Sequence, residues 1–533
     1  MNPACGNESA LLRATARPVS ALAASLVLLT LLVLPAGAQP RARKLPAPDK
    51  IVSDYLKAVG GKKAQAALRD TVREWTMIGG EGGAAEVRAR TYTRAPGATR
   101  ADVIFADGET SAAANERTAW ARGRDNKLRT LTDKEAGAAK LQAALEAGRL
   151  VNYKKQDVLA RTVGVEQVGG EPTYLVEFSR RNGARVRYWF SVPTKYLVEV
   201  RDELRGLTLR FSEYRPANGA GGMTLEPHRL EMVRDQEPPL TLALQSVRYN
   251  ANLSAELFEP PGDATLDIAA LLREVGRNQQ RVHERISEYT YTRKDTEREI
   301  NDRGEIKKEK TALYEIYAVP GGGRVLKLVS ENSMPLSPEQ MAKEEKRVAE
   351  ELEKIERENQ KRKQKQEEAK RRNETGAGEN GDEDVGITAF LRACEFVAPR
   401  RELFREREAI VFDFRPRPGF KPSNRGESIS AKLAGAVWID PIEKQVMRLE
   451  ARLEQGFKIG GGLVASVKPG SAVVFEQTRL PDGVWLPRFS QINAAAKVFL
   501  FAGFRIDATR EYSDYKRFTT KAGEEKLDAP VKQ

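Results

Sequence analysis

The residues of this chain that could do chemistry are few and far apart. His228 sits in Leu225-Glu226-Pro227-His228 and His283 in a stretch of helical spacing, and neither has a metal-ligating residue four positions on. Two histidines and two cysteines among 533 residues argue against zinc, haem or iron–sulfur chemistry, which needs clusters of those ligands. A serine nucleophile would have to borrow one of the two histidines, and no Gly-x-Ser-x-Gly elbow occurs. Gly460-Gly461-Gly462 followed by Lys468-Pro469-Gly470-Ser471 carries the letters of a phosphate loop, but Pro469 breaks the order, and the segment reads as a hairpin loop. Gly321-Gly322-Gly323 after Pro320 reads the same way. Acidic residues are too plentiful to single out a glycosidase-like pair. Cys394, in the apolar run Phe390–Val397, reads as a small packing residue. No catalytic residue, metal or cofactor is expected, and the chain reads as non-enzymatic.

The elements that would position any site begin after an export signal. Arg13 and Arg17 precede the apolar run Ala21–Leu34, and Ala36-Gly37-Ala38 offers small residues for cleavage after Ala38. The run is short for a membrane span. With no cysteine just behind it, there is no thiol for lipid attachment. A soluble periplasmic product without a lipid anchor is expected, its single remaining cysteine, Cys394, unable to form an internal disulfide. Removing residues 1–38, with Arg13, Arg17 and Glu8, leaves +12 of the formal +13. That charge suits an anionic membrane surface, whereas nucleic acid is disfavoured by the export signal and the lack of a nucleic-acid-binding motif.

Behind a linker, 39–45, the chain reads as one plan written twice. In the first unit, 46–262, Asp49 can cap a helix with Ile51, Val52, Tyr55, Leu56 and Val59 on one face, ended by Gly60-Gly61. Thr132-x-x-Glu135 resembles a capping box opening a second helix to about Ala147. Strands alternate elsewhere, most clearly in Val186-x-Tyr188-x-Phe190, Leu207-x-Leu209-x-Phe211 and Leu240-x-Leu242-x-Leu244. The second unit, 263–520, opens with an amphipathic helix over Asp263–Glu288 and returns to strands from Phe396 to Phe518; a tail, 521–533, follows. Tyr188-Trp189-Phe190 with Pro193 lines up with Val437-Trp438-Ile439 with Pro441, and Phe211–Arg215 with Phe475–Arg479, which points to internal duplication. An insertion, 337–384, carries a charged helix with a coiled-coil-like seam of about two heptads at Met341, Val348, Leu352 and Ile355. It reads as a solvated helix or as an arm for a protein partner.

These residues resemble the family of outer-membrane lipoprotein-sorting proteins, the LolA-like periplasmic carriers. The resemblance rests on Tyr55-Leu56-Lys57-Ala58-Val59-Gly60-Gly61, the Trp120 strand, Tyr188-Trp189-Phe190 with Pro193 and Asn250-x-x-Leu253…Phe258-x-x-Pro261 in the first unit. In the second it rests on Trp438-Ile439-Asp440 and Gly483-x-Trp485-Leu486-Pro487. It implies an α+β, mainly antiparallel β fold: two curved, unclosed barrel-like sheets, each with helices on its concave side. It also implies a lipid, or the acyl chains of a lipoprotein, as non-covalent partner. The lining expected from the alternating strands is Val186, Tyr188, Phe190, Leu207, Leu209, Phe211, Leu240 and Leu242. The rival reading is an envelope structural or stress-sensing module with filled cores, acting through protein contacts.

Overall fold

Glycine and proline set the first helix before any packing does. Helix α1 (Pro48–Ala58) starts with Pro48, where a missing N–H costs nothing, and buries Ile51, Val52 and Leu56 on one stripe. It stops at Gly60 and Gly61, whose φ values are +112° and +94°, and the Gly61 amide donates to the Leu56 carbonyl at 2.7 Å. A Cβ on Gly60 would fall 2.5 Å from the Met223 carbonyl oxygen, so glycine is required on steric grounds too. Asp49 is not the cap. That position is Ala47, and the Asp49 carboxylate instead receives the Tyr153 hydroxyl and the Lys154 ammonium, both at 2.5 Å. A short α2 (Lys62–Ala66) follows.

The computed structural model describes residues 45–517 apart from 79–86, 181–182, 220, 264, 302–305, 320–322, 372–386, 460–464 and 499–501. The export signal, the end of the charged insertion from 372 to 384 and the first glycine run at 460–462 lie outside the described residues. Among the described residues no helix is long and apolar enough to cross a membrane.

Thirteen antiparallel strands form the first sheet. Six precede a helix: β1 (Asp70–Met77), β2 (Arg88–Arg94), β3 (Ala98–Phe105), β4 (Gly108–Ala114), β5 (Ala119–Arg122) and β6 (Leu128–Thr130). Then comes α3 (Asp133–Ala147), and seven strands follow: β7 (Val158–Val168), β8 (Glu171–Arg180), β9 (Arg185–Ser191), β10 (Leu197–Asp202), β11 (Leu207–Gly219), β12 (Gly222–Arg234) and β13 (Leu240–Tyr249). The last strand returns to pair with the first, giving the order β6-β5-β4-β3-β2-β1-β13-β12-β11-β10-β9-β8-β7. Helix α3 touches β2–β5 and also β9. Strands that far apart in the order reach one helix only if the sheet curls around it, and β6 and β7 stay unpaired with each other, so the curl is open. The capping box expected at Thr132 does not form: Thr132 makes no side-chain cap bond, and the Glu135 carboxylate that would return the second bond is held by Arg129 at 2.8 and 2.9 Å.

The second sheet repeats the order of connections. Helix α4 (Ile268–Arg285) leads to β14 (Tyr289–Ile300), β15 (Ile306–Ala318), β16 (Arg324–Glu331) and β17 (Met334–Pro335). Helices α5 (Pro338–Arg371) and α6 (Ile387–Ala393) come next. The chain continues with β18 (Cys394–Phe404), β19 (Arg407–Pro416), α7 (Arg425–Ser430), β20 (Leu433–Ile439), β21 (Val446–Leu453), β22 (Phe457–Ile459), β23 (Ala465–Val467), β24 (Ala472–Arg479), β25 (Trp485–Val498) and β26 (Ala502–Arg517). The main path is β17-β16-β15-β14-β26-β25-β24-β21-β20-β19-β18, again with last strand on first and again open. The segments that line up in sequence fall on strands in matching places, Trp189 on β9 and Trp438 on β20. Their turns match bond for bond. Lys195 and Lys444 both have positive φ, and their amides donate to the Ser191 and Asp440 carbonyls at 3.1 and 3.0 Å. Their ammonium groups reach the Val192 and Pro441 carbonyls.

Two edges are managed by side chains. Past β17 the outer edge of β16 has no strand beside it, and α5 covers it: the Leu328 amide donates to Glu344 Oε1 at 2.7 Å, and Arg347 donates to the Leu326 carbonyl. Glu344→Ala is expected to lower hydrogen-exchange protection of the Leu328 amide about ten-fold, the worth of one charge-assisted bond. Unchanged protection would show that α5 does not hold this edge. The other edge joins the sheets, where β6 meets β18. The Thr130 amide and hydroxyl donate to Glu402 at 2.8 and 2.6 Å, and Arg400 spans Glu402, Asp413 and Thr130. Residues Pro46–Gln533 accordingly form one compact unit.

Candidate functional site

Residues directly opposite each other in an antiparallel ladder share a face, so register alone traces one wall through the first sheet. Val176, Tyr188, Val200, Leu209, Met232 and Leu240 stand opposite one another across β8 to β13. Phe211, Leu230, Leu242 and Met77 form a second row across β11, β12, β13 and β1. Leu244, Trp75, Ala89 and Val103 continue it to β3. All eight residues expected to line a site lie on this one face, since Val186 and Phe190 alternate with Tyr188, and Leu207 with Leu209.

What covers that face changes along it. Over β7–β10, helices close it: Ile51, Val52 and Leu56 of α1 and Leu141 and Leu145 of α3 pack on Val176, Phe178, Val186, Tyr188 and Phe190. Those three expected lining residues, Val186, Tyr188 and Phe190, are core residues 1–3% exposed. Over β11–β13 and β1–β3 the apolar cluster is Trp75, Val87, Ala89, Val103, Leu230, Leu242 and Leu244, with no helix side chain in it. Met77, Phe105, Leu209, Phe211, Leu240 and Val247 rim that cluster, partly exposed. The seven cluster residues are themselves 1–8% exposed, so the apolar area left to bury on this face belongs to the rim.

Helix α3 shows what stands opposite. From Ala136 to Ala147 it is buried on nearly every side, as its run of alanines demands, yet Glu146 is open to solvent. Its neighbours Leu145 and Ala147 are 1% and 4% exposed. Three arginines surround it in charge range, Arg73, Arg149 and Arg205, together with Glu226. Burial pushes the Glu146 carboxyl up from its ordinary value, and the arginines pull the other way. A solvent-open carboxylate among those charges marks a crowded recess beside α3, and Arg73, two residues from Trp75 on β1, ties it to the wall of the first sheet. Burial pushes the Tyr55 phenol, facing the same charges, up to about 12, with the Glu226 charge adding.

A fixed polar network floors the recess. Glu226 accepts from Arg73 Nε at 3.0 Å, Arg149 at 3.1 Å and the Tyr249 hydroxyl at 2.9 Å. Arg149 also donates to Gln65 and Thr71, and Arg205 to Asp202 and Gln142. Burial alone would raise the Glu226 carboxyl, but Arg73 and Arg149 outweigh it and hold it at about 2. Its charged form is the bound form. The stability it supplies is complete above the ordinary 4.5 and is lost as pH falls toward 2. Glu226→Gln is expected to remove that part of the acid slope between pH 4.5 and 2; identical slopes in urea titrations of both proteins would refute it.

The polar residues singled out in the sequence do not assemble. His228, on β12, is half-buried with Nδ1 3.1 Å from the Glu226 carbonyl, and the His283 side chain lies outside those described. Cys394 is fully buried with its thiol 3.4 Å from the Ser430 carbonyl, and burial pushes that thiol up to about 12. Glu146, Arg73, Arg149 and Glu226 escaped sequence reading. The signal for Glu146 was there to be used: a helix made of small residues all round must be enclosed, which makes its glutamate anomalous.

No protein-family model matches the sequence, and no curated protein does. Solved structures similar to it include a LolA superfamily protein from Nitrosomonas europaea, 12% identical, over 40% of this chain and 99% of that one, with a TM-score of 0.27. An outer membrane lipoprotein-sorting protein domain from Vibrio parahaemolyticus is 13% identical over 39% of this chain and 95% of its own, with a TM-score of 0.25. The MucA/MucB complex of Pseudomonas aeruginosa matches at 9% identity over 86% of this chain and 93% of that one, with a TM-score of 0.16. The resemblance drawn from the residues is met by solved structures that carry the same family name.

Proposed function

We propose that this protein is an exported, non-enzymatic binder of a lipid or of lipoprotein acyl chains, held between α3 and the uncovered wall of the first sheet. One observation carries the reading: the rim of the apolar cluster of β11–β13 and β1–β3, Met77, Phe105, Leu209, Phe211, Leu240 and Val247, stays partly exposed with no helix side chain in the cluster among the described residues, and Glu146 is exposed on the otherwise buried α3. Apolar rows beside a water-filled recess gain free energy when a chain displaces the water. About ten methylenes at ~0.8 kcal/mol each give about 8 kcal/mol gross, which is micromolar binding before ordering costs. Of the eight expected lining residues, Leu207, Leu209, Phe211 and Leu240, which stay partly exposed, are assigned to contact, while Val186, Tyr188, Phe190 and Leu242 support them from the closed core. The +13 formal charge favours approach to an anionic bilayer, and the matching turns support two copies of one ancestral unit.

The test is native mass spectrometry with lipid extraction on protein purified without detergent. Bound phospholipid or acylated peptide is the expected result. A mass that is apo, and stays apo after incubation with lipid vesicles, would overturn the proposal in favour of an interaction module. Deletion of 337–384 followed by partner capture is then the experiment, because α5 beyond Ile355 presents an exposed, charged surface.

A further inference from the structure

The charges around the recess do not cancel evenly at the point where a ligand would lie. Arg73 and Arg149 are both answered by Glu226, and Arg205 by Asp202. Each guanidinium is spoken for by a carboxylate less than 4% exposed. Glu146 is different: it is open to water, it makes no hydrogen bond or ion pair among the described residues, and it projects from an otherwise enclosed helix beside the apolar wall. An occupant that brings only acyl chains would leave that carboxylate cut off from water with the arginine charges nearby but no hydrogen-bond donor of its own, which costs free energy. An occupant with an anionic head would add a second negative charge beside it. A head that brings a compact cation with N–H donors would satisfy it.

We infer that the ligand of this recess is an aminolipid, whose primary ammonium is received by the Glu146 carboxylate while its acyl chains lie along the partly exposed Leu209, Phe211, Leu240 and Met77. The inference rests on the reading that the recess takes an acyl chain, and it adds the head-group class. Arg73, Arg149 and Glu226 hold the site in place without competing for the head, since their charges are already matched. Gln142, one turn before Glu146 on the same side of α3, is held by Arg205, which fixes the helix face that presents the carboxylate.

The experiment offers the full-length mature protein phosphatidylcholine vesicles doped with phosphatidylethanolamine or with phosphatidylglycerol in equal amounts, and reads the retained lipids by native mass spectrometry. Phosphatidylethanolamine is expected in about ten-fold excess over phosphatidylglycerol, and Glu146→Gln is expected to bring that ratio near one. Glu146→Lys should favour phosphatidylglycerol, and it tests the same idea independently if the glutamine variant folds poorly. Equal retention of both lipids by the unaltered protein, or a ratio that survives both substitutions, would overturn the inference and leave the acyl-binding reading standing. Retention of neither lipid would overturn the acyl-binding reading and the inference with it.

Discussion

Arg400→Ala is expected to destabilise the protein by about 3–5 kcal/mol, because it strands buried carboxylates whose charge was matched. The Arg400 side chain is 2% exposed and those of Glu402 and Asp413 are each 1% exposed. Its guanidinium lies 2.6 Å from Glu402, 3.0 Å from Asp413, 2.7 Å from the Thr130 hydroxyl and 2.9 Å from the Ala398 carbonyl. Two of those partners matter beyond their own energy. Thr130 belongs to the first sheet and Glu402 to the second, so the cluster is where the sheets' edges are joined. Arg117 reinforces it from the first sheet, donating to Asp413 at 2.7 Å. Urea unfolding should show an earlier midpoint for Arg400→Ala, and a double-mutant cycle with Thr130→Val should give a coupling of about 0.5–3 kcal/mol across the sheets. An unchanged midpoint would mean the cluster is solvated and the junction is held elsewhere.

Phe211→Asp is expected to abolish lipid retention while the protein stays folded, and Met77→Asp should do the same. Both side chains sit on the rim of the uncovered cluster, partly exposed, and both stand in the row with Leu230 and Leu242. A carboxylate there keeps its water in the empty protein but must be desolvated when an acyl chain arrives, which costs more than the chain's burial returns at that point. Tyr188→Asp is the instructive contrast. Tyr188 is 3% exposed beneath α1 and α3, with its ring 5.1 Å from that of Phe178, so a charge there should unfold the first sheet and leave binding unmeasurable. Circular dichroism and lipid extraction on the three variants separate the outcomes. Retention of lipid by both rim variants would place the ligand away from this wall.

How much of this was legible depends on the range over which each feature is decided. Val186, Tyr188, Phe190, Leu207, Leu209, Phe211, Leu240 and Leu242 were readable as one face because strand alternation has a period of two and is written locally. The stop at Gly60-Gly61 was readable for the same reason, since positive φ marks glycine out. The expected cap at Asp49 failed because distant partners won, Tyr153 and Lys154 taking its carboxylate, and the capping box at Thr132 lost its glutamate to a nearer competitor, Arg129.

The sequence by itself determined the strand faces, the order of two similar units and the helix that ends each first meander. Only the tertiary structure decided which stretch of the apolar face the helices close and which they leave open. That depends on how far a thirteen-stranded sheet curls around α3, a property of many pairings at long separation. The same holds for the charges. Arg73 finds Glu226, and Arg400 finds the Thr130 hydroxyl, across 153 and 270 residues, and neither an ion pair nor a side-chain hydrogen bond carries a periodic signature that would announce it.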